Sequence, residues 1–171
     1  MFTLDLSLVR KQGKPTAFHF RAQLPALDGP DGMVSFIGPV DVETVVTYAQ
    51  GQFWLDGTVS GQVELACARC LKRFAHPLKV TLAERYVQGR TVDDPEVTCV
   101  EDDLVDLTET VRQSILLALP MRALCRVECR GLCPECGQVL NEGACDCRSR
   151  TIDPRLAGLA DFFKPNPKGV E

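Results

Sequence analysis

Nine cysteines stand in a chain of 171 residues, and six of them fall within "CRVECRGLCPECGQVLNEGACDC", residues 125–147. The sharpest pairing is "CPECG", Cys133 to Gly137. Two residues between cysteines let a tight turn aim both sulfurs at one ion about 2.3 Å away, and a glycine after the second accepts the positive φ of such a turn. Metal ligation by thiolates is the chemistry this spacing favours. A thioredoxin-type redox pair needs a βαβ setting with a helix starting at the motif, and the flanking sequence offers neither. Cys145 and Cys147 point to opposite faces in extended backbone, so both reach one ion only if Asp146 sits in a bend. Cys125 and Cys129 are an i, i+4 pair, which one helical turn presents on the same side. Far upstream, "CARC", Cys67 to Cys70, repeats the knuckle spacing.

One tetrahedral zinc takes four thiolates. A first partition gives Cys133, Cys136, Cys145 and Cys147 to one zinc and Cys67, Cys70, Cys125 and Cys129 to another. The alternative is a single zinc held between the 67–70 and 133–136 knuckles. Either way four sulfurs saturate each ion and make it structural, because catalytic zinc keeps a position for water. Iron–sulfur ligation by four of these thiols is a further option. Cys99 reads as a packed small hydrophobe. His19, in an alternating run, and His76, before a proline, are set aside as ligands.

The elements that must position these sulfurs are mostly strands. Phe2, Leu4, Leu6 and Leu8 alternate, as do Phe18 to Leu24, Val40 to Tyr48 and Val59 to Cys67, each pattern placing one strand face on a core. "AQGQ", 49–52, supplies a hairpin turn, and CARC lies at a second turn before "FAHPLKVTL". "LPALDGPDG", 24–32, reads as a loop. Residues 91–109 carry eight acids and no base, which reads as a solvated loop leading into a helix start. A helix over 107–119 follows from Leu107, Val111, Ile115 and Leu119, with Asp106 or Thr108 as cap and Pro120 as stop. Asp153 and Pro154 start a short C-terminal helix with Leu156, Leu159 and Phe163 on one side.

The predicted architecture is α+β: a small antiparallel, meandering β-rich domain with one packed helix and a C-terminal cysteine-rich zinc-knuckle segment. Its divisions are 1–105 for the β-rich part with the CxxC hairpin, 106–124 for the packing helix and connection, 125–150 for the metal-binding segment and 151–171 for a short helix and tail. No apolar stretch approaches the roughly 18 residues of a membrane span, and the first residues lack a secretory or transit pattern. The expectation is a cytoplasmic protein, and in that reducing compartment the cysteines suit metal better than disulfides. Side chains sum to a net charge of −4, and two Zn(Cys)₄ centres would take it to about −8. Nucleic acid cannot then be held by a diffuse field, so any RNA contact must be local. Residues 67–90 are locally basic, and Arg69, Lys72 and Arg73 are the candidate RNA contacts.

Four motifs in order, "ACARCLKRFAHPL", "LVDLTETVRQSILLALPM", "GLCPECGQVLNEGACDC" and "DPRLAGLADFF", resemble the YceD family of bacterial proteins with plant organellar relatives. The resemblance covers the chain from about residue 40 onward. It implies a role in synthesis, processing or stability of large-subunit ribosomal RNA, hence ribosome biogenesis, and carries over only the motif cysteines. The expected function is a non-enzymatic zinc-containing accessory factor that binds ribosomal RNA or a ribosomal protein. A protein-binding adaptor, whose acidic 93–109 segment docks a basic partner, is the alternative. A metal-dependent nuclease ranks below both, because no His/Asp/Glu ligand cluster is visible. A DNA-binding zinc-ribbon regulator is weakened by the acidic balance. Oligomeric state is not legible.

Overall fold

The structure is a computed structural model describing residues 2–29, 32–89 and 93–147, with Arg155, Gly158 and Leu159. In chain order the elements are β1 (Thr3–Asp5), α1 (Leu6–Gln12), β2 (Thr16–Ala22), β3 (Leu27–Gly29), β4 (Gly32–Phe36) and β5 (Val40–Ala49). They continue with β6 (Gln52–Ala66), β7 (Arg73–Gln88), β8 (Val97–Val100), β9 (Leu104–Asp106) and α2 (Thr108–Ala118). The chain divides into two compact units, and the boundary falls after Cys129, inside the cysteine-rich segment.

The first unit is built on two long hairpins that share β6. β5 and β6 meet at Ala49↔Gln52 around Gln50 (φ 54°) and Gly51 (φ 81°). Two successive positive φ values give a type I′ turn, whose twist suits the flanking strands. β6 and β7 then pair along nearly their whole length, from Phe53↔Tyr86 to Ala66↔Arg73, which leaves residues 67–72 as the tip. Because β7 occupies one edge of β6, β4 (Ser35↔Glu64, Phe36↔Val63) shares the other edge with β5. Val40, Val42 and Val46 of β5, with Phe53, Leu55, Val59 and Val63 of β6, turn inward to one core. Phe2, Leu4, Leu6, Val9, Val111 and Ile115 close that core.

Gly57 shows how tightly β5 and β6 meet. It pairs with Thr44, and a Cβ there would lie 2.6 Å from both the Glu43 carbonyl oxygen and Thr44 Cγ2. Backbone cannot yield as a flexible side-chain tip can, so Gly57→Ala is expected to cost about 1–3 kcal/mol. Urea unfolding measures this, and an unchanged midpoint would contradict the close approach.

Several expectations need correction. Leu6 and Leu8 do not extend the first strand: α1 starts at Leu6 because Asp5 Oδ1 accepts the Ser7 N–H at 2.9 Å, a side-chain cap. The helix ends at Gly13 (φ 61°), whose N–H donates to the Val9 carbonyl, so Leu6 and Val9 are buried while Leu8 is exposed. The single packed helix is therefore two. The predicted loop at 24–32 contains β3 and the start of β4, a short ribbon in which buried Leu27 pairs with buried Val34. The acidic 91–109 run contains β8 and β9, with Val97 and Val105 buried; six of its eight acids lie in the connections, while Asp106 ends β9 and Glu109 lies in α2. The β-rich part is antiparallel as expected, save that β8 runs parallel to β7 (Arg85↔Val97) and so departs from a simple meander. Cys99, on β8, is exposed rather than packed.

α2 occupies the predicted position. Its N-cap is Leu107, not the predicted Asp106 or Thr108, and no side chain caps it. Asp106 Oδ1 accepts the Thr108 N–H at 2.9 Å from the preceding strand end, and Leu119 turns extended before Pro120, as the residue preceding proline must. Its buried face, Val111 and Ile115, packs towards β7 and β3 and sends the chain on to Cys125. The C-terminal helix expected from Asp153 lies outside the described residues, save Arg155, Gly158 and Leu159, whose backbone is 3₁₀.

Candidate metal centres

Both Cys-x-x-Cys motifs fold into the same knuckle. In the first, the Cys67 N–H donates to the Lys72 carbonyl at 2.9 Å and the Leu71 N–H to the Cys67 carbonyl at 2.9 Å. In the second, the Cys133 N–H donates to the Gln138 carbonyl at 2.8 Å and the Gly137 N–H to the Cys133 carbonyl at 2.9 Å. The offsets are identical, and in each the residue after the second cysteine is left-handed: Leu71 at φ 58°, Gly137 at φ 74°. Glycine accepts that conformation freely, whereas leucine pays about 1–2 kcal/mol for it. Leu71 is also 67% exposed and so gains little from packing. Leu71→Gly is expected to stabilise the metal-loaded protein by about 0.5–1 kcal/mol, after allowing for glycine's larger unfolded-state entropy. A lower unfolding midpoint in urea would contradict this.

Each knuckle has its own second pair of sulfurs. Cys67, Cys70, Cys125 and Cys129 form one group and Cys133, Cys136, Cys145 and Cys147 the other, with all four Sγ atoms of a group within 4.8 Å of one another. In the first group, Cys67 and Cys129 are 3.8 Å apart, as are Cys70 and Cys125. Four sulfurs about 2.3 Å from a central ion lie about 3.8 Å apart at the edges of a tetrahedron, while a disulfide needs about 2.05 Å. The spacing is thus that of ligands around a common ion. The 67–70 hairpin tip is joined to the chain beyond α2 by the Ala68 N–H donating to the Ala123 carbonyl at 2.8 Å. In the second unit, Leu132 bridges to Val139, and Gln138 Nε2 donates to the Ala144 carbonyl at 3.3 Å, bringing the 145–147 return alongside the knuckle. Both Cys145 and Cys147 reach this group, so they do not point to opposite faces as an extended backbone would place them.

The two groups differ in solvent access. Cys67, Cys70 and Cys129 are buried and Cys125 half-buried, whereas Cys136 and Cys147 are exposed in the second group and Cys133 alone is buried there. Ionisation is uneven within both. Burial opposes a charge on Cys67, yet the backbone N–H groups of Cys125, Cys70 and Arg69 hold its pKa at about 6. Burial, together with the other three thiols, pushes Cys125 up to about 12. In the second group the N–H groups of Cys136 and Glu135 lower Cys133 to about 7, while Cys136 and then burial raise Cys147 to about 12. Once one thiol ionises, its neighbours resist doing so, which is the electrostatic condition a bound dication removes.

The candidate RNA contacts are placed differently from one another. Arg69 is turned onto backbone, its Nη1 donating to the Val127 carbonyl at 3.0 Å and the Cys129 carbonyl at 2.8 Å. Arg73 pairs with Glu64 at 2.7 Å on the surface, and Lys72 is exposed. No local pattern signals the Arg69 contacts, because its partners lie 58 and 60 residues away. Neither histidine joins a sulfur group: His19 lies 3.4 Å from Asp41, and His76 meets the Phe74 ring edge-on.

Two knuckles, each completed by its own cysteine pair, with one of them at the end of a β-hairpin, define a β-rich protein carrying paired four-sulfur centres. The profile of one family, described as "Large ribosomal RNA subunit accumulation protein YceD", matches residues 55–163, which include both knuckles. The chain belongs to the YceD family. Among its relatives, the uncharacterized protein YlbN of Bacillus subtilis (strain 168) is 34% identical over 134 residues, 75% of this chain and 76% of that one. An uncharacterized protein of Mycobacterium tuberculosis (strain ATCC 25618 / H37Rv) is 30% identical over 170 residues, 95% of this chain and 82% of that one. The Zea mays chloroplastic "Large ribosomal RNA subunit accumulation protein YCED homolog 1" is 24% identical over 159 residues, 74% of this chain and 54% of the plant protein. No solved structure matches. Among the described residues no helix is long and apolar enough to cross a membrane.

Proposed function

We propose that this protein is a cytoplasmic, zinc-containing accessory factor for accumulation of large-subunit ribosomal RNA, acting by binding ribosomal RNA or a ribosomal protein and not by catalysis. Family membership carries the first half of this reading, since the plant relatives bear that function in their names. The two sulfur groups support the second half. Soft thiolates in a tetrahedral set of four suit zinc, and four of them leave no open position for a reacting water. The ions would therefore hold surfaces in place.

The acidic run also argues against a nuclease. Asp103 accepts from Arg10 at 3.2 Å and from Gln88 at 3.1 Å, Arg85 pairs with Asp94 and Glu96, and Asp106 accepts the Thr108 N–H at 2.9 Å. The Thr108 hydroxyl and N–H hold the Asp106 carboxyl below the usual carboxylate range. These carboxylates are engaged in supporting the fold.

A strain lacking the gene is expected to show reduced mature large-subunit ribosomal RNA, restored by the wild-type chain. The same RNA level with and without the gene would contradict the reading. For direct RNA binding, the exposed cations Lys72, Arg73, Arg122 and Arg126, near the first sulfur group in sequence, are the candidate contacts. Their replacement by glutamate should abolish salt-sensitive retention of a ribosomal RNA fragment in filter binding. Unchanged retention, with co-purification of a ribosomal protein that survives nuclease, would favour the adaptor reading instead.

A further inference from the structure

We propose that Arg69 is a positioning residue for the first four-sulfur centre, clipping the segment that carries Cys125 and Cys129 onto the hairpin that carries Cys67 and Cys70. The inference rests on the reading that this centre binds metal. Its ligands come from two places: Cys70 and Cys125 are separated by 55 residues, and Cys67 and Cys129 by 62. The 123–129 segment is fastened at its start, where the Ala123 carbonyl accepts the Ala68 N–H at 2.8 Å. Between Cys125 and Cys129 its side chains give little anchorage, for Arg126 and Glu128 are exposed and Val127 is 85% exposed.

Arg69 supplies the missing attachment. Its Nη1 reaches the carbonyls of Val127 and Cys129 at 3.0 and 2.8 Å, while its own backbone N–H donates to Cys67 Sγ at 3.5 Å. One residue thus contacts the backbone of one ligand and the sulfur of another, on opposite halves of the centre. The planar, permanently charged guanidinium suits this fixed double contact better than the single mobile ammonium of lysine. Its charge also lies beside a centre that carries −2 when zinc is bound to four thiolates. With Nη1 committed to two carbonyls of the ligand-bearing segment, the contribution of Arg69 to function passes through the metal centre.

The test is a Co²⁺ titration of reduced, metal-free full-length chain, following the thiolate–Co²⁺ charge-transfer and tetrahedral d–d bands. Cys133→Ser/Cys136→Ser serves as the background that isolates the first centre. Outer-shell partners of metal ligands typically contribute about 10–100-fold in affinity. Arg69→Ala is expected to weaken Co²⁺ at the first centre by that factor, while the second centre, titrated in a Cys67→Ser/Cys70→Ser background, is unchanged. Arg69→Lys should fall between wild type and alanine. If Arg69→Ala does not fold, Arg69→Lys decides, and wild-type affinity there overturns the proposal. Wild-type affinity in Arg69→Ala overturns it as well, the more so if RNA retention is lost, which would make Arg69 a phosphate contact. A wild-type chain with no thiolate–Co²⁺ band defeats the metal reading itself, a result distinct from either.

Discussion

Cys67→Ser/Cys70→Ser is expected to lower the zinc content from two ions per chain to one and to release the hairpin tip from the segment after α2. The size of the effect follows from what the first centre joins. Its sulfurs bring together residues 55–62 positions apart, and closing such a span by metal removes much chain entropy. Apparent binding energies of structural zinc run to about 10–16 kcal/mol, against total stabilities of about 5–15 kcal/mol for a domain. The sheet itself has an independent source of stability in Val42, Val59, Leu55 and their neighbours, all buried away from the sulfurs. Hydrogen exchange should therefore rise most at residues 66–73 and 123–129 and least in β5 and the middle of β6. Uniform loss of protection, or retention of both ions, would contradict this division.

The second large effect concerns the order in which the centres lose metal. Cys136 and Cys147 are exposed, whereas three cysteines of the first group, Cys67, Cys70 and Cys129, are buried. A chelator or an alkylating reagent gains access to exposed thiolates without prior opening of the fold. With excess chelator, zinc release is expected in two phases, the faster belonging to the second centre by on the order of 10-fold or more, the scale on which outer-shell support acts. Peptide mapping after brief treatment with N-ethylmaleimide should find Cys136 and Cys147 modified before Cys67 and Cys129. A single phase, or early modification of Cys67, would mean that burial does not protect the first centre.

The residues that made these features legible in advance share one property: their signals are local or countable. Gln50 and Gly51 mark a turn by themselves, and the four-residue spacing of Leu107, Val111 and Ile115 marks α2. Counting sulfurs against the coordination of zinc offered this grouping of eight cysteines beside a single zinc shared by the two knuckles, and the geometry forms the two groups of four. What escaped depended on competition or on distance. Leu4, Leu6 and Leu8 fit a strand as well as a helix until the Asp5 cap and Gly13 decide between them. The parallel pairing of β8 with β7 depends on where a connection returns, which no local pattern encodes. Leu71 holds a left-handed position that sequence alone assigns to glycine, and Arg69 reads as a surface cation until its carbonyl partners are placed.

Metal content of the freshly reduced, full-length wild-type chain tests the central claim most directly. Native mass spectrometry, calibrated by elemental analysis, is expected to find two zinc ions per chain, with the mass deficit of the thiol protons lost to each ion. One ion, or none, would contradict a protein built around two separate four-thiolate centres.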